Sequence, residues 1–230
     1  MRRLLLPGPP EVHVTLRRSA RARRFSLRVS RVDGAVTLTL PLWAAEAEAL
    51  AFARSQGGWI AAARARHMPR APLGFGAALP FEGRVLVLTA APVRAPRIEG
   101  DALLLPPDPA RLGARLGAFL RLAARQRLQA ACSRHATALG RPFARITLRD
   151  TRSRWGSCAP DGRLMFSWRL ILAPAEVLDY VAAHEVAHLA EMNHSPAFWA
   201  VVAGLCPGYA APRAWLRRHG HGLHELHLPD

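Results

Sequence analysis

Residues 184–194 read HEVAHLAEMNH, and this stretch constrains the fold more than any other. His184 and His188 stand four positions apart, which on an α-helix separates them by about 40° around the axis and about 6 Å along it. Both imidazoles then face one side, at a spacing that a single metal ion bridges. Glu185 lies about 100° from His184, beside the coordination position such an ion leaves open, where a carboxylate can take a proton from water. Upstream, Leu178, Val181, Ala182 and Ala183 give the helix an apolar body that demands burial. The chain is therefore expected to bury a helix that opens at Pro174, runs for about 18 residues and presents its polar groups to a cleft.

A catalytic zinc commonly takes three protein ligands and keeps a fourth position for water. Two residues compete for the third place. Glu191, seven after His184, stays within about 20° of it but lies about 7–8 Å beyond the midpoint of the two histidines. Its side chain would have to fold back along the helix. His194 falls on the wrong face of a continuing helix and serves only if the helix stops around Met192-Asn193 and the chain turns back. Asn193 tolerates the left-handed conformation of such a stop, and Ser195-Pro196 suits the cap and first turn of a following helix. His194 is the expected third ligand and Glu191 the alternative. The histidine spacing equals that of the metzincin pattern HExxHxxGxxH, but Glu191 occupies its glycine position and no Met-turn signature follows.

The first hundred residues read as short strands: Val12–Arg17, Phe25–Ser30 and Ala35–Leu40, the last two separated by the hairpin signal Asp33-Gly34. Glu82-Gly83 and Glu99-Gly100 punctuate later strands, and a helix from Ala44 to about His67 is weakened by Gly57-Gly58. After Asp108-Pro109 a long helix runs to Leu139 and stops at Gly140. Strands at Arg145–Arg149 and Leu164–Arg169 precede the histidine helix, and helices at Pro196–Leu205 and Tyr209–Arg218 follow it. No internal repeat is evident. The expected architecture is α+β: a strand-rich basic region over 1–105, divided near the charge-rich segment Arg94–Pro107 from a metallohydrolase domain over 106–230. In that domain the active-site helix would lie against a small antiparallel sheet.

Around the histidines, Arg152, Arg154 and Trp155 occupy a turn-rich connection. Arg154 is a candidate for holding an anionic group or a transition-state oxyanion; alternatively Trp155 packs in the core while the arginines are solvated or pair with Asp150 and Glu191. Phe198 and Trp199 are expected as packing anchors, and His135 needs no role. The glycines at 220 and 222 suggest that the tail HGHGLHELH is a flexible end. All 32 basic residues are arginine, against 16 acidic, for a net charge of +16. Such an excess attracts nucleic acid weakly and in a salt-dependent way. The expected footprint is Arg17, Arg18, Arg21, Arg23 and Arg24 together with the helix from Arg111 to Arg134. No apolar run reaches the ~18 residues of a membrane span. Three cysteines without CxxC spacing, and no signal-peptide core behind the opening MRRLLL, point to the cytosol.

The stretches TRSRWGSC (151–158), FSWRLILAP (166–174) and DYVAAHEVAHLAEMNHSPAFW (179–199) resemble the YgjP-like metallopeptidases, small zincin-fold proteins related to the SprT-like proteases. The strong similarity spans about 145–218. The first half is similar more loosely, through RRSARARRFSLRVS, the turn at Gly34 and the Trp59 helix. The resemblance implies Zn2+ held by His184, His188 and His194, with Glu185 as the catalytic base. Ser167 stands where the family commonly has Asn before WRL. The residues themselves leave two substrates open, since a zinc site of this kind can hydrolyse a peptide or a nucleotide phosphoanhydride. A basic nucleic-acid module with a purely structural metal would not require Glu185.

Overall fold

Alternating apolar and polar residues do form strands through the first hundred residues, but in two separate sheets. The computed structural model describes residues 2–6, 11–30, 34–65 and 73–228. Asp33 and His67 lie outside the described residues. The chain forms two compact units, Met1–Ala71 and Pro72–Asp230. This division falls well before the Arg94–Pro107 segment favoured from charge, because the strands between Ala78 and Leu105 pack on the long helix that follows them.

In the first unit the sheet order is β1-β2-β4-β3, with β1 at Arg2–Leu6, β2 at Val12–Ser19, β3 at Ser26–Val29 and β4 at Val36–Pro41. One face buries Val14, Leu16, Val36, Leu38 and Leu40 against Ala49, Ala53 and Ile60 of two short helices. These are α1 (Glu46–Ser55) and α2 (Gly57–Ala65), and the chain breaks between them at Gln56.

The second unit opens with β5 (Ala78–Phe81), β6 (Arg84–Ala90), β7 (Arg97–Glu99) and β8 (Ala102–Leu105), in the order β5-β6-β8-β7. The β5–β6 turn, Glu82-Gly83, has positive φ at both residues, 49° and 83°, as a two-residue hairpin of this twist requires. Each four-stranded sheet is two antiparallel hairpins joined by a parallel pairing of their second strands. The repeat that the residues do not display is thus present in the connectivity.

Helix α3 (Leu112–Leu139) follows, entered through a 3-10 turn at Pro109–Arg111 and ended at Gly140 in the left-handed conformation, φ 70°. Its stripe of Leu116, Leu120, Ala124 and Leu128 is fully buried. The third sheet, order β10-β11-β9, comprises β9 (Arg145–Arg149), β10 (Gly156–Cys158) and β11 (Arg163–Ser167). It is mixed rather than antiparallel throughout, since β9 runs parallel to β11. A 3-10 turn at Trp168–Leu172 leads into α4 (Ala175–Ala187), and α5 (Pro196–Leu205) and α6 (Ala210–His219) follow. Helix α4 packs against α3, α5, α6 and β10, so it is buried nearly all round. No helix of the described residues is long and apolar enough to cross a membrane.

Candidate metal centre

Helix α4 stops earlier than its sequence suggests. Leu and Ala are good helix formers, yet the helical run ends at Ala187, and Leu189 and Ala190 make tight bonds back to Val186 and Ala187. Asn193 does not adopt the left-handed conformation; among the described residues other than glycine only Glu82 has positive φ. His188 instead caps the helix, and its Nδ1 lies 2.9 Å from the Glu191 carbonyl oxygen. Donation from Nδ1 leaves Nε2 free to face the cleft. The chain then turns back, and Ser195 starts α5 by accepting a bond from the Phe198 amide at 3.2 Å.

This turn brings His184, His188 and His194 together, with one ring nitrogen of each lying within 4.8 Å of the others. Glu191 is not in the group; it contributes its backbone carbonyl rather than its carboxylate. The Nε2 atoms of His184 and His194 face each other at 3.1 Å. Two lone pairs at that distance repel unless a proton or a cation lies between them. Burial, reinforced by His188 and His194, pushes the His184 imidazole down to about 4, and burial also lowers His188, so protons are disfavoured. A metal bonded at about 2.0–2.1 Å in tetrahedral geometry needs nitrogens about 3.3 Å apart, and the His184–His194 pair is already near that spacing. The arrangement fits a divalent cation.

Phe198 holds the three rings in place. It is fully buried, its centroid lies 4.9 Å from His184 and 4.8 Å from His194, and it stacks on His188 at 4.5 Å. Trp199 stacks on His194 and on Tyr209, and the Arg213 guanidinium lies 4.3 Å from its ring centre. The packing role expected for both aromatics is therefore specific to the histidine cluster.

Glu185 is 5% exposed and rests against β10. Sequence reading missed the partner that makes room for it: a Cβ added at Gly156 would lie 2.5 Å from Oε1 and 2.6 Å from Cγ of Glu185. Only glycine lets the strand come this close to the carboxyl. No local pattern marks Gly156, since its neighbour lies 29 positions away along the chain. Burial pushes the Glu185 carboxyl up to about 8, against the opposing pull of Arg154. Arg154 itself is exposed, and its carbonyl accepts a bond from the Thr151 hydroxyl at 2.9 Å. Its charge is thus felt at Glu185 without the side chain being buried.

Other expectations around the site change. Asp150 pairs with Arg169, at 2.6 and 3.0 Å. Arg169 also donates to the carbonyls of Leu223 and Leu226, while His224 stacks on half-buried Trp155 at 4.7 Å. The histidine-rich tail is therefore packed through Leu228 rather than loose. His135 lies 3.0 Å from Asp179 and thereby ties α3 to α4. Ser167 is fully buried with its hydroxyl unpartnered.

A cavity of about 500 Å3 opens beside His188, lined by Leu189, Met192, Pro142, Pro160 and Gly162 among others. A second, of about 650 Å3, is crossed by the Glu82–Arg127 and Arg134–Asp179 pairs and contains none of the three histidines.

A buried helix with converging imidazoles beside a buried carboxyl is the arrangement of a metal-dependent hydrolase. The chain matches the YgjP-like, metallopeptidase domain family over residues 23–219 and belongs to it. A solved structure with detectable similarity is the metallopeptidase zymogen of Pyrococcus abyssi abylysin. It is 22% identical, with 40% of this chain and 92% of that one covered and a TM-score of 0.36. No curated protein matches.

Proposed function

We propose that this metallohydrolase is a zinc peptidase, with His184, His188 and His194 as metal ligands and Glu185 as general base. The observation that supports it best is the convergence of three imidazoles beside a buried carboxyl seated on Gly156. When bound, the ion supplies a Lewis acid that acidifies water and polarises the scissile carbonyl. Glu185 accepts the proton from the attacking water and returns it to the amine nitrogen as the C–N bond breaks. Burial makes the ionised carboxylate a stronger base for the first of these steps. Arg154, on the connection before β10, steadies the negative charge that develops on the carbonyl oxygen. The cavity beside His188, with Met192 and Leu189 in its wall, receives a substrate side chain.

Metal analysis, combined with turnover of casein and of nucleoside triphosphates, tests this reading. The expected result is one zinc per chain and casein cleavage that falls by about 10²–10⁴-fold in Glu185→Gln with the zinc retained. Zinc-dependent triphosphate hydrolysis without peptide cleavage would instead make the substrate a nucleotide.

A further inference from the structure

None of the four strands of the first unit contains Asp or Glu. Their inward residues are buried against α1 and α2, and the pleat sends the alternate residues to the other face. The register lines those residues up in rows: Thr15 beside Thr37 with Arg28 beyond, and Arg17 beside Thr39 with Ser26 beyond. Arg17, Ser26 and Arg28 are exposed, and the β2–β3 connection adds Arg21, Arg23 and Arg24, also exposed. These five arginines pair with no carboxylate among the described residues.

The arginines of α3, expected from the sequence to share in any polyanion footprint, are used differently. Arg127 holds Glu82, Arg134 holds Asp179, Arg115 holds Asp108 and Arg125 donates to the Ile146 carbonyl. Arg18 is also engaged within the fold, donating to the carbonyls of Leu42 and Ala44 at 2.8 and 3.0 Å. Positive charge without a carboxylate partner is densest on the outer face of the first sheet and its adjoining turn, since of the α3 arginines only Arg121, over the Trp168 ring, and Arg125 lack one among the described residues.

We propose that this face binds the phosphate backbone of nucleic acid without reading sequence. Guanidinium forks match phosphate oxygens in bidentate fashion, and Thr and Ser hydroxyls are ordinary phosphate donors. Same-face residues along a strand are about 6.7 Å apart and neighbouring strands about 4.8 Å apart, so a backbone laid over the sheet meets a donor at each step. Lipid headgroups offer the same phosphate chemistry, but stable membrane docking adds apolar insertion, and Leu5 is the single apolar side chain described on this face. The four strands themselves carry no Phe, Tyr or Trp for bases to stack on, which makes the backbone rather than the bases the target. This inference stands apart from the peptidase reading and does not require the metal.

The test is fluorescence anisotropy of the full chain with a labelled DNA duplex of about 20 base pairs, from ~50 to ~200 mM salt. Relative to wild type, Arg17→Gln/Arg28→Gln is expected to bind at least about tenfold more weakly at low salt. Its log–log salt slope should be shallower by about 2. Arg97→Gln, which removes an exposed arginine already paired with Glu99, should stay within about twofold. Glu185→Gln should bind like wild type, which separates failure of this proposal from failure of the catalytic one. Circular dichroism checks folding, and Arg21→Gln/Arg23→Gln/Arg24→Gln in the turn repeats the test should the first pair unfold the sheet. Wild-type affinity and slope in a folded sheet or turn variant would overturn the proposal. Tighter binding to vesicles containing phosphatidylserine than to the duplex would overturn it in favour of a membrane.

Discussion

The metal centre and the outer face of the first sheet use polar side chains in opposite ways. At the centre each group is fixed by a neighbour: His188 by the Glu191 carbonyl, the three rings by Phe198, and Glu185 by the bare backbone at Gly156. On the sheet, Arg17 and Arg28 project from regular strands and meet no carboxylate among the described residues. Interlocked groups lose function together when one is changed, whereas open ones contribute additively and weakly. The contrast is between a site that must be preorganised for chemistry and a surface that needs only charge and spacing.

The largest expected effect that would sharpen this contrast is at the proposed third ligand. His194→Ala should lose most of its bound zinc, while Glu191→Gln, whose carboxylate is outside the cluster, should keep it; metal analysis after dialysis reads both. A reversal would mean that the helix extends in solution and the wrong residue was assigned. Phe198→Ala comes next, with an expected loss of about 3–5 kcal/mol in urea unfolding and a rise in metal dissociation rate. A stability loss without any change in metal release would uncouple packing from ligation.

Gly156→Ala should reduce turnover by about 10²-fold at unchanged zinc content, because the new methyl displaces the Glu185 carboxyl. Turnover within twofold of wild type would show that the site is no more interlocked than the sheet face. The smallest effect concerns Asp179, whose pKa is lowered chiefly by its hydrogen bond to His135, with Arg134 adding to it. A depressed folded-state pKa contributes stability that is present above the ordinary Asp value of 3.8 and lost as pH falls through the lower one. Asp179→Asn should therefore lower stability near neutrality and flatten the acid limb of the stability–pH curve below about pH 4, converging on wild type in acid. An unaltered acid limb would leave the α3–α4 tie without energetic weight.

Local signals were enough for β9 and α5, whose bounds at Arg145–Arg149 and Pro196–Leu205 follow from alternation and from the Ser195-Pro196 start. They also placed His184, Glu185 and His188 on one helix. They failed where a distant partner decides the outcome. The residues after Ala187 carry no breaker, and the turn there is held from a distance by Arg141, which donates to the Leu189 carbonyl at 2.8 Å. Gly156 has meaning only through Glu185, and Asp150 finds Arg169, 19 positions away. The tail looked loose from its glycines, yet carbonyls at Leu223 and Leu226 are bound by Arg169. The repeated connectivity was hidden because strand order is conserved by hairpin geometry, not by residue identity.

The division after Ala71 has a consequence for the order in which the molecule is made. All strands and helices of the first unit come from residues that leave the ribosome before α4 has been synthesised. That unit can therefore close on contacts of short sequence separation, which form quickly. The catalytic pocket has no such head start. His184, His194 and Phe198 are synthesised only after β9, β10 and β11, so a nascent chain holds its arginine-covered sheet before it holds the residues of the metal centre.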